Sequence, residues 1–491
     1  MPVFVIFAFG IGCCLLLVRL VTSYLRLSNI PGPLAAKFTD LWRYKSQNSK
    51  AHSSRLVELH NKYGKLVRIG PNHVSTCDPA AIPIIYSTNP TWIKGPSYYG
   101  AIPVSKNRPV PTIIGMGEAQ HTAVRKSVGR AFTTNSLLDY EDSIEATGKD
   151  LIAVLSHETE TDIGEWLQYF AMDMLIRISF SDALGMLSKR QDVDGILQAV
   201  MARFDHWGQW GAVPSIDYAV NKSRLATTLR GVRDHPLARV AQSKLDTRKR
   251  DENKSSYRDL CSKFLEGQNK YPQLVKHDEI LGIIMSTIGA GADTTAGTLT
   301  YTLYFLSKHP AARQKLMDEI NENLSQGTLS RTPKWVEVNR MPYLDAVLRE
   351  SMRLLPIASW GLDRVVPPAG ATVAGQFLPG GTIVGCQIDA VHRDKEVYGK
   401  DSDDYRPERW IEASVDQRRQ MDRAFLAFSA GKRTCTGVHI AWLEMKKTLP
   451  LLMMNFHLDL INPNQDVTHG IRISAVKYPP PVPMKITKKR I

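Results

Sequence analysis

Cysteine is scarce in this chain, with six residues (Cys13, Cys14, Cys77, Cys261, Cys386 and Cys435) among 491. No two form a C-x-x-C pair, which excludes a zinc ribbon, a thioredoxin-type site and a cysteine-held iron–sulfur cluster. The same scatter excludes a disulfide-dense secreted scaffold. Negative charge is in deficit, with 48 Asp+Glu against 62 Lys+Arg, giving a formal net charge of +14. Nucleic acid, an anionic membrane surface and an acidic protein are the partners such a balance admits. Aromatic and basic residues are not interleaved, so nucleic acid gains no support. Internal repeats are absent, as is regular βαβ alternation, which disfavours a doubly wound nucleotide fold. With 43% apolar and 22% charged residues, wholesale disorder is also excluded. At about 150 residues per domain the length allows about three domains.

Charge is missing altogether from Met1 to Val18, and the apolar run extends past Arg19 to Leu20, Val21 and Leu25. That is roughly the 20 residues needed to cross a bilayer core. A cleaved signal peptide fits poorly, because no basic n-region and no small-x-small site precede Arg19. The next charges, Arg19, Arg26 and Lys37, are all positive, which predicts a single anchor with the rest of the chain on the cytosolic side. Asn29-Ile30-Pro31-Gly32-Pro33 predicts a stiff, non-helical hinge. The expected organisation is an anchor over 1–25, a proline-rich hinge over 26–35 and one large domain over 36–491.

Within that domain, Leu66–Ile69, a Gly70-Pro71-Asn72 turn and His73–Cys77 read as strand, turn and strand. Helical patterns dominate from Glu118 to Ile320. The charge-dense stretch Lys244–Lys263, with Arg248-Lys249-Arg250, reads as a solvated connection or helix end. A long apolar helix is expected from Asp278 to Leu306, another opening at Pro310, and another from Pro342 to just before Pro356. A β-rich section follows over Ala371–Ala374 and Thr382–Gln387. A last helix from Val438 to Phe456 contains Pro450, which predicts a kink. The fold class is mainly α with small β-sheets.

The most informative string is Phe428-Ser429-Ala430-Gly431-Lys432-Arg433-Thr434-Cys435-Thr436-Gly437, leading into that last helix. A cysteine at a helix N-terminus beside Lys432 and Arg433 is placed to become a thiolate. The glycines let backbone pass close to something flat or bulky. A phosphate-binding loop is rejected, since Leu426 stands where its first glycine belongs and Arg433 replaces its Ser/Thr. In the long helix, Ala290-Gly291-Ala292-Asp293-Thr294-Thr295 lies among Gly289, Gly291 and Gly297. Each glycine costs about 1 kcal/mol relative to alanine, which a helix tolerates where a ligand approaches or where small residues pack. Glu350 and Arg353 stand at i,i+3 on one helix face, with Pro407-Glu408-Arg409-Trp410 downstream.

The cysteine string matches the haem-ligand loop of the cytochrome P-450 family, Phe-x-x-Gly-x-Arg-x-Cys-x-Gly, at every specified position. Chance gives such a match on the order of 10⁻⁴ times in a chain of this length. The other two strings resemble further motifs of that family, in the right order. The resemblance implies a P-450 fold, haem b as cofactor and Cys435 as the thiolate ligand of the haem iron, with Phe428 and Gly437 in the same loop. It implies that Thr294 and Asp293 deliver protons during O–O cleavage. It makes Glu350, Arg353 and Arg409 a buried structural triad. His121 and Arg125, in a helix where many members carry Trp at the position of His121, and Arg364 and Arg433 are implied to hold the haem propionates. Lipophilic substrate and O₂ would react, with electrons from an NADPH–cytochrome reductase whose acidic surface meets a basic face. The endoplasmic reticulum membrane is the implied location.

Arg364-Val365-Val366-Pro367 and Val391-His392-Arg393-Asp394 look like the fungal microsomal branch that contains pisatin demethylase, and thus point to secondary metabolism on a terpenoid, polyketide or phenolic. Substrate contacts are implied in Ser97–Gly115, Gln198–Val213, Ile283–Ala290, Pro356–Gly361 and His469–Ile471, with Ile357 and Trp360 as an apolar wall. Two other readings stay open. One is a haem-thiolate isomerase or dehydratase that needs no O₂. The other is a non-enzymatic basic membrane-docking protein, which leaves the cysteine loop unexplained.

Overall fold

The computed structural model describes residues 2–88, 91–105, 108–110, 112–231, 235–251, 257–358, 362–469 and 471–489, with backbone alone at 2–6, 8–9, 12–13, 15–16, 105, 108–109, 230, 277, 469 and 473. Trp360 and Gly361 lie outside the described residues, as do parts of the expected contact segments Ser97–Gly115 and His469–Ile471. A helix covers Pro2–Arg26. Much of its side-chain set is not described, and among the described residues no helix is long and apolar enough to cross a membrane. The fold therefore does not support the expected anchor. The end of that helix is tied to the body by the buried guanidinium of Arg68, which donates to the carbonyls of Ser23 and Tyr24 at 2.8 and 3.0 Å.

The largest sheet explains how Arg364 is placed. Its strands run in the order Leu66–Gly70, His73–Thr76, Ile383–Cys386 and Arg364–Val365. The first pair is the expected antiparallel hairpin. The middle pair is parallel, and Arg364–Val365 closes the sheet antiparallel. A short antiparallel pair, Arg472–Ile473 with Lys477–Tyr478, carries Tyr478.

The centre of the molecule is the helix His277–Lys308. Ile280, Ile283, Ile284, Ile288, Leu299, Leu303 and Leu306 are all buried, each contributing about 1.5–3 kcal/mol through burial. Its chief neighbour is the helix Ile163–Phe180. Two of its glycines answer to packing rather than to a ligand. A Cβ at Gly291 would stand 2.8 Å from Leu175 Cδ1, and one at Gly297 would stand 2.6 Å from Ile357 Cδ1. The chain turns at His309 into the helix Pro310–Ser325, as proline at a first helical position favours.

The helix Pro342–Leu354 carries Glu350 and Arg353. The helix Val438–Asn455 runs through Pro450 without a break. The charged stretch holds the expected helix end, that of Pro236–Arg250, with Lys249 and Arg250 exposed, but one of its residues departs from the expectation. Arg248 is buried rather than solvated, and its two Nη atoms donate to Asp259 at 2.8 and 2.7 Å. Burial would lower its pKa, but the Asp259 partner outweighs that and holds it above the ordinary value.

Candidate active site

The cysteine loop is built from two left-handed residues, Ser429 (φ 61°) and Gly431 (φ 66°). They fold it back so that the Cys435 N–H donates to the Phe428 carbonyl at 2.9 Å, while the Phe428 ring packs 6.0 Å from Trp442. Gly431 is obligatory here, since a Cβ would sit 1.6 Å from the Tyr86 carbonyl oxygen. At Gly437 a Cβ would meet nothing within 4 Å, so the loop is open on that side. Cys435 is exposed, yet burial is the main influence on its thiol and raises its pKa, opposed by the Gly437 N–H and the charge of Arg125.

Lys432 and Arg433 do not stabilise a thiolate as the sequence led one to expect, because both are turned to Glu118. Arg433 donates to Glu118 Oε1 from Nε at 3.0 Å and from Nη2 at 2.7 Å, and Lys432 stands 3.5 Å from the other oxygen. Burial alone would raise the Glu118 pKa, but these two cations hold it below the ordinary value.

Around Glu118 the structure brings together three of the four residues expected to bind propionates, whereas Arg125 is exposed and acts only through its charge on His121 and Cys435. Arg433 is buried and its Nη1 has no partner. His121 is buried, with Nδ1 likewise unpartnered. Its pKa is lowered to about 3 by burial and by Arg433, Lys94 and Arg125, so it stands as the neutral imidazole. Arg364 is buried and donates to the carbonyls of Leu362 and Asp363, both at 3.0 Å. Lys94 was not foreseen. Its ammonium donates to Ile114 O at 3.0 Å and lies 4.3 Å above the Tyr98 ring. Burial and the charges of Arg433 and Arg364 hold its pKa well below the ordinary lysine value. Four basic side chains thus meet with Glu118 engaged by Arg433 and Asp363 engaged by His73 and Ser97. The unpartnered nitrogens of Arg433 and His121 fit added carboxylates, which would also favour the charged forms of Lys94 and His121, and the exposed sulfur fits a metal. A coordinating metal deprotonates a thiol outright. The residues therefore fit haem.

On the central helix the Thr294 hydroxyl donates to Ala290 O at 2.7 Å, leaving its lone pairs to accept. Asp293 is buried and turned elsewhere. Its Oδ2 accepts from the Tyr478 hydroxyl at 2.8 Å, and its Oδ1 has no partner. Burial raises its pKa to about 7, against the opposing hydrogen bond from Tyr478. Thr295 donates to Glu444 Oε2 at 2.9 Å, which ties the central helix to the helix that follows Cys435. Glu444 is buried, and burial raises its pKa to about 8. Neither Tyr478 nor Glu444 carried a signal that a lone sequence could single out.

Behind the cysteine loop the triad is closed. Glu350 Oε1 accepts from Arg353 Nη2 at 2.8 Å and from Arg409 Nε at 2.9 Å. Oε2 accepts from Arg353 Nε at 2.9 Å and Trp410 Nε1 at 2.8 Å. Burial raises the Glu350 pKa, but the two guanidiniums outweigh it and hold it below the ordinary value. His392 connects this network to the loop. Its Nδ1 is 3.0 Å from Arg353 O, and its Nε2 accepts from the Leu426 N–H at 2.8 Å. This fixes a neutral ring with the proton on Nδ1.

Comparison with known proteins agrees with this geometry. The Cytochrome P450 family model matches residues 31–485. A cytochrome P450 monooxygenase of Aspergillus terreus is 36% identical over 90% of this chain and 92% of its own length. Cytochrome P450 monooxygenase cicH of Emericella nidulans is 32% identical over 90% of each. Cytochrome P450 monooxygenase mpaDE of Penicillium roqueforti is 34% identical over 93% of this chain, which spans 54% of that longer protein. With the match over most of its length, the chain belongs to the cytochrome P450 family of haem-binding monooxygenases.

Proposed function

We propose that the chain oxidises a lipophilic small molecule in fungal secondary metabolism, with O₂ and electrons from an NADPH-dependent reductase. Bound haem supplies the redox and oxygen chemistry, and thiolate ligation favours O–O cleavage. In this reading Cys435 is the iron ligand, with the Gly437 N–H directed at its sulfur and Phe428 accepting from its backbone. His121, Arg125, Arg364 and Arg433 hold the propionates. Asp293, titrating near neutral pH, holds and releases a proton where a group of fixed charge could not. Thr294, with lone pairs free, positions that transfer. Glu350, Arg353 and Arg409 keep the loop folded. The chain is read as an anchor over 1–25, a hinge over 26–35 and a catalytic domain over 36–491 on the cytosolic face of the endoplasmic reticulum. The uncharged run Met1–Val18 and the positive charges after it support this. The excess of basic residues suits an acidic electron donor.

The observation that carries the function is the exposed sulfur of Cys435 in its folded-back loop, beside buried basic nitrogens left without partners. Its test is the carbon-monoxide difference spectrum of the reduced protein. The red-shifted thiolate band is expected in the wild type and absent in Cys435→Ala; a band that survives the substitution sinks the reading. Product formation that requires NADPH and reductase separates a monooxygenase from an isomerase or dehydratase. Thr294→Ala and Asp293→Asn are expected to uncouple NADPH consumption from product, Asp293→Asn by on the order of 10²-fold in coupled rate. Full coupling in both variants would overturn their assigned roles.

A further inference from the structure

Arg203 stands in the helix Ile196–Trp210 and lines a cavity against Gly289 and Ala290 of the central helix, the latter being the residue whose carbonyl accepts the Thr294 hydroxyl. The other walls are apolar, chiefly Ile114, Val200, Phe204 and Trp207, with Ser286 at the edge. Arg203 donates from Nε at 3.2 Å and from Nη2 at 3.1 Å, both to the single carbonyl of Ala101. It makes no ion pair, and no hydrogen bond from Nη1, among the described residues.

Burial, with nothing to offset it, lowers its pKa to about 10, so the guanidinium remains charged at neutral pH. The side chain is half-buried and lines the cavity. The carboxylates nearby are already engaged. Asp205 pairs with Arg472 at 2.8 Å. Asp217 pairs with His206 and Lys222 at 2.8 and 2.9 Å. The other charged groups that feel Arg203 are Lys222 and His235, whose pKa values burial lowers first and the Arg203 charge lowers further.

Arg203 is a half-buried cation with no counter-ion among the described residues, so a carboxylate entering the cavity would supply the partner it lacks. We propose that Arg203 anchors the substrate, which is a lipophilic carboxylic acid whose carboxylate accepts from Nη1 while its apolar body lies along Gly289 and Ala290 toward Thr294. This deepens the monooxygenase reading and rests on it. A charged Nη1 donor suits the task, because a charge-assisted N–H bond to a carboxylate is stronger than one to a neutral acceptor such as an ester.

The test uses the haem-loaded protein and a series of ω-(imidazol-1-yl)alkanoic acids of graded chain length, each paired with its methyl ester. The imidazole binds the iron and shifts the Soret band, so affinity is read without turnover. At the best chain length the acid is expected to bind about 10- to 100-fold tighter than its ester. Arg203→Gln keeps N–H donors for the Ala101 carbonyl and is expected to abolish that preference, whereas Arg203→Lys retains part of it. No acid preference at any chain length, or a preference unchanged in Arg203→Gln, overturns the proposal. The carbon-monoxide spectrum of the same samples separates the two ideas. A missing thiolate band tells against the monooxygenase reading, and a normal band without acid preference tells against Arg203 alone.

Discussion

The triad behind the cysteine loop and the cationic group beside it use the same residue types and end differently. Glu350 has both oxygens filled by Arg353, Arg409 and Trp410. The remaining donors of the two arginines reach backbone carbonyls such as those of His392, Ser402 and Asp401. In the group around Glu118, Arg433 Nη1 and His121 Nδ1 are buried without partners, and on the central helix so is Asp293 Oδ1. A closed network specifies structure, because every buried polar atom is satisfied within the chain. An open one keeps buried atoms at a cost, which identifies the places where the fold waits for something that is not polypeptide.

Breaking the closed side gives the largest expected effect. Glu350→Gln leaves Arg353 and Arg409 buried without their counter-charge, which costs about 3–5 kcal/mol. That approaches the whole stability of many domains, so little haem-loaded protein is expected. The ratio of haem absorbance to polypeptide measures it, and normal loading would contradict a structural role. His392 comes next. Its removal as His392→Phe leaves the Leu426 N–H and one of the acceptors of Arg353 without a partner, a loss of about 1–3 kcal/mol. The measurable outcome is faster haem release at unchanged backbone fold, because the histidine joins the triad to the loop rather than holding either one alone.

Sequence revealed the closed side and the cysteine loop far better than the open side. The cysteine loop, the pair at i,i+3 and the proline-punctuated helices are local patterns, set by backbone geometry within a few residues. The partnership of Arg433 with Glu118 joins residues 315 positions apart, and that of Asp293 with Tyr478 joins residues 185 apart. No periodicity encodes such meetings. The glycines of the central helix show the same limit. Their oddity was visible, but that Gly291 makes room for Leu175 and Gly297 for Ile357 depends on neighbours that only the fold supplies. Lys432 and Arg433 misled for a related reason. Adjacency in sequence to Cys435 suggested a contact, whereas their side chains reach the opposite way to Glu118.

The open side should also carry a pH signature. Glu444 and Asp293 are held protonated by burial, with pKa values raised to about 8 and about 7. Between the ordinary carboxylate range and those values the native state keeps protons that the unfolded chain has released. Stability therefore falls as pH rises through that window and is fully present only below it, by up to about 1.4 kcal/mol per pH unit for each group. Glu444→Gln removes one of the two contributions. Its urea midpoint should change less between about pH 5.5 and pH 8 than that of the wild type. An equal slope in both proteins would show that Glu444 is ionised in the native state.

The smallest effect sharpens the contrast within a single ion cluster. Lys432 and Arg433 both engage Glu118, but Lys432 stands 3.5 Å away on a partly exposed side chain, whereas Arg433 is buried and makes two short bonds. An ion pair of the first kind contributes about 0–1 kcal/mol, since water screens it and ordering the side chain offsets the attraction. Lys432→Ala should leave haem content and denaturation midpoint almost unchanged. Arg433→Ala removes a buried cation, leaves Glu118 inadequately paired and deletes the unpartnered Nη1, so it should release haem readily. If the two substitutions weaken haem retention equally, the effect comes from net positive charge near the cysteine loop. Unequal losses, with Arg433 dominant, place it in the directed hydrogen bonds of one buried guanidinium.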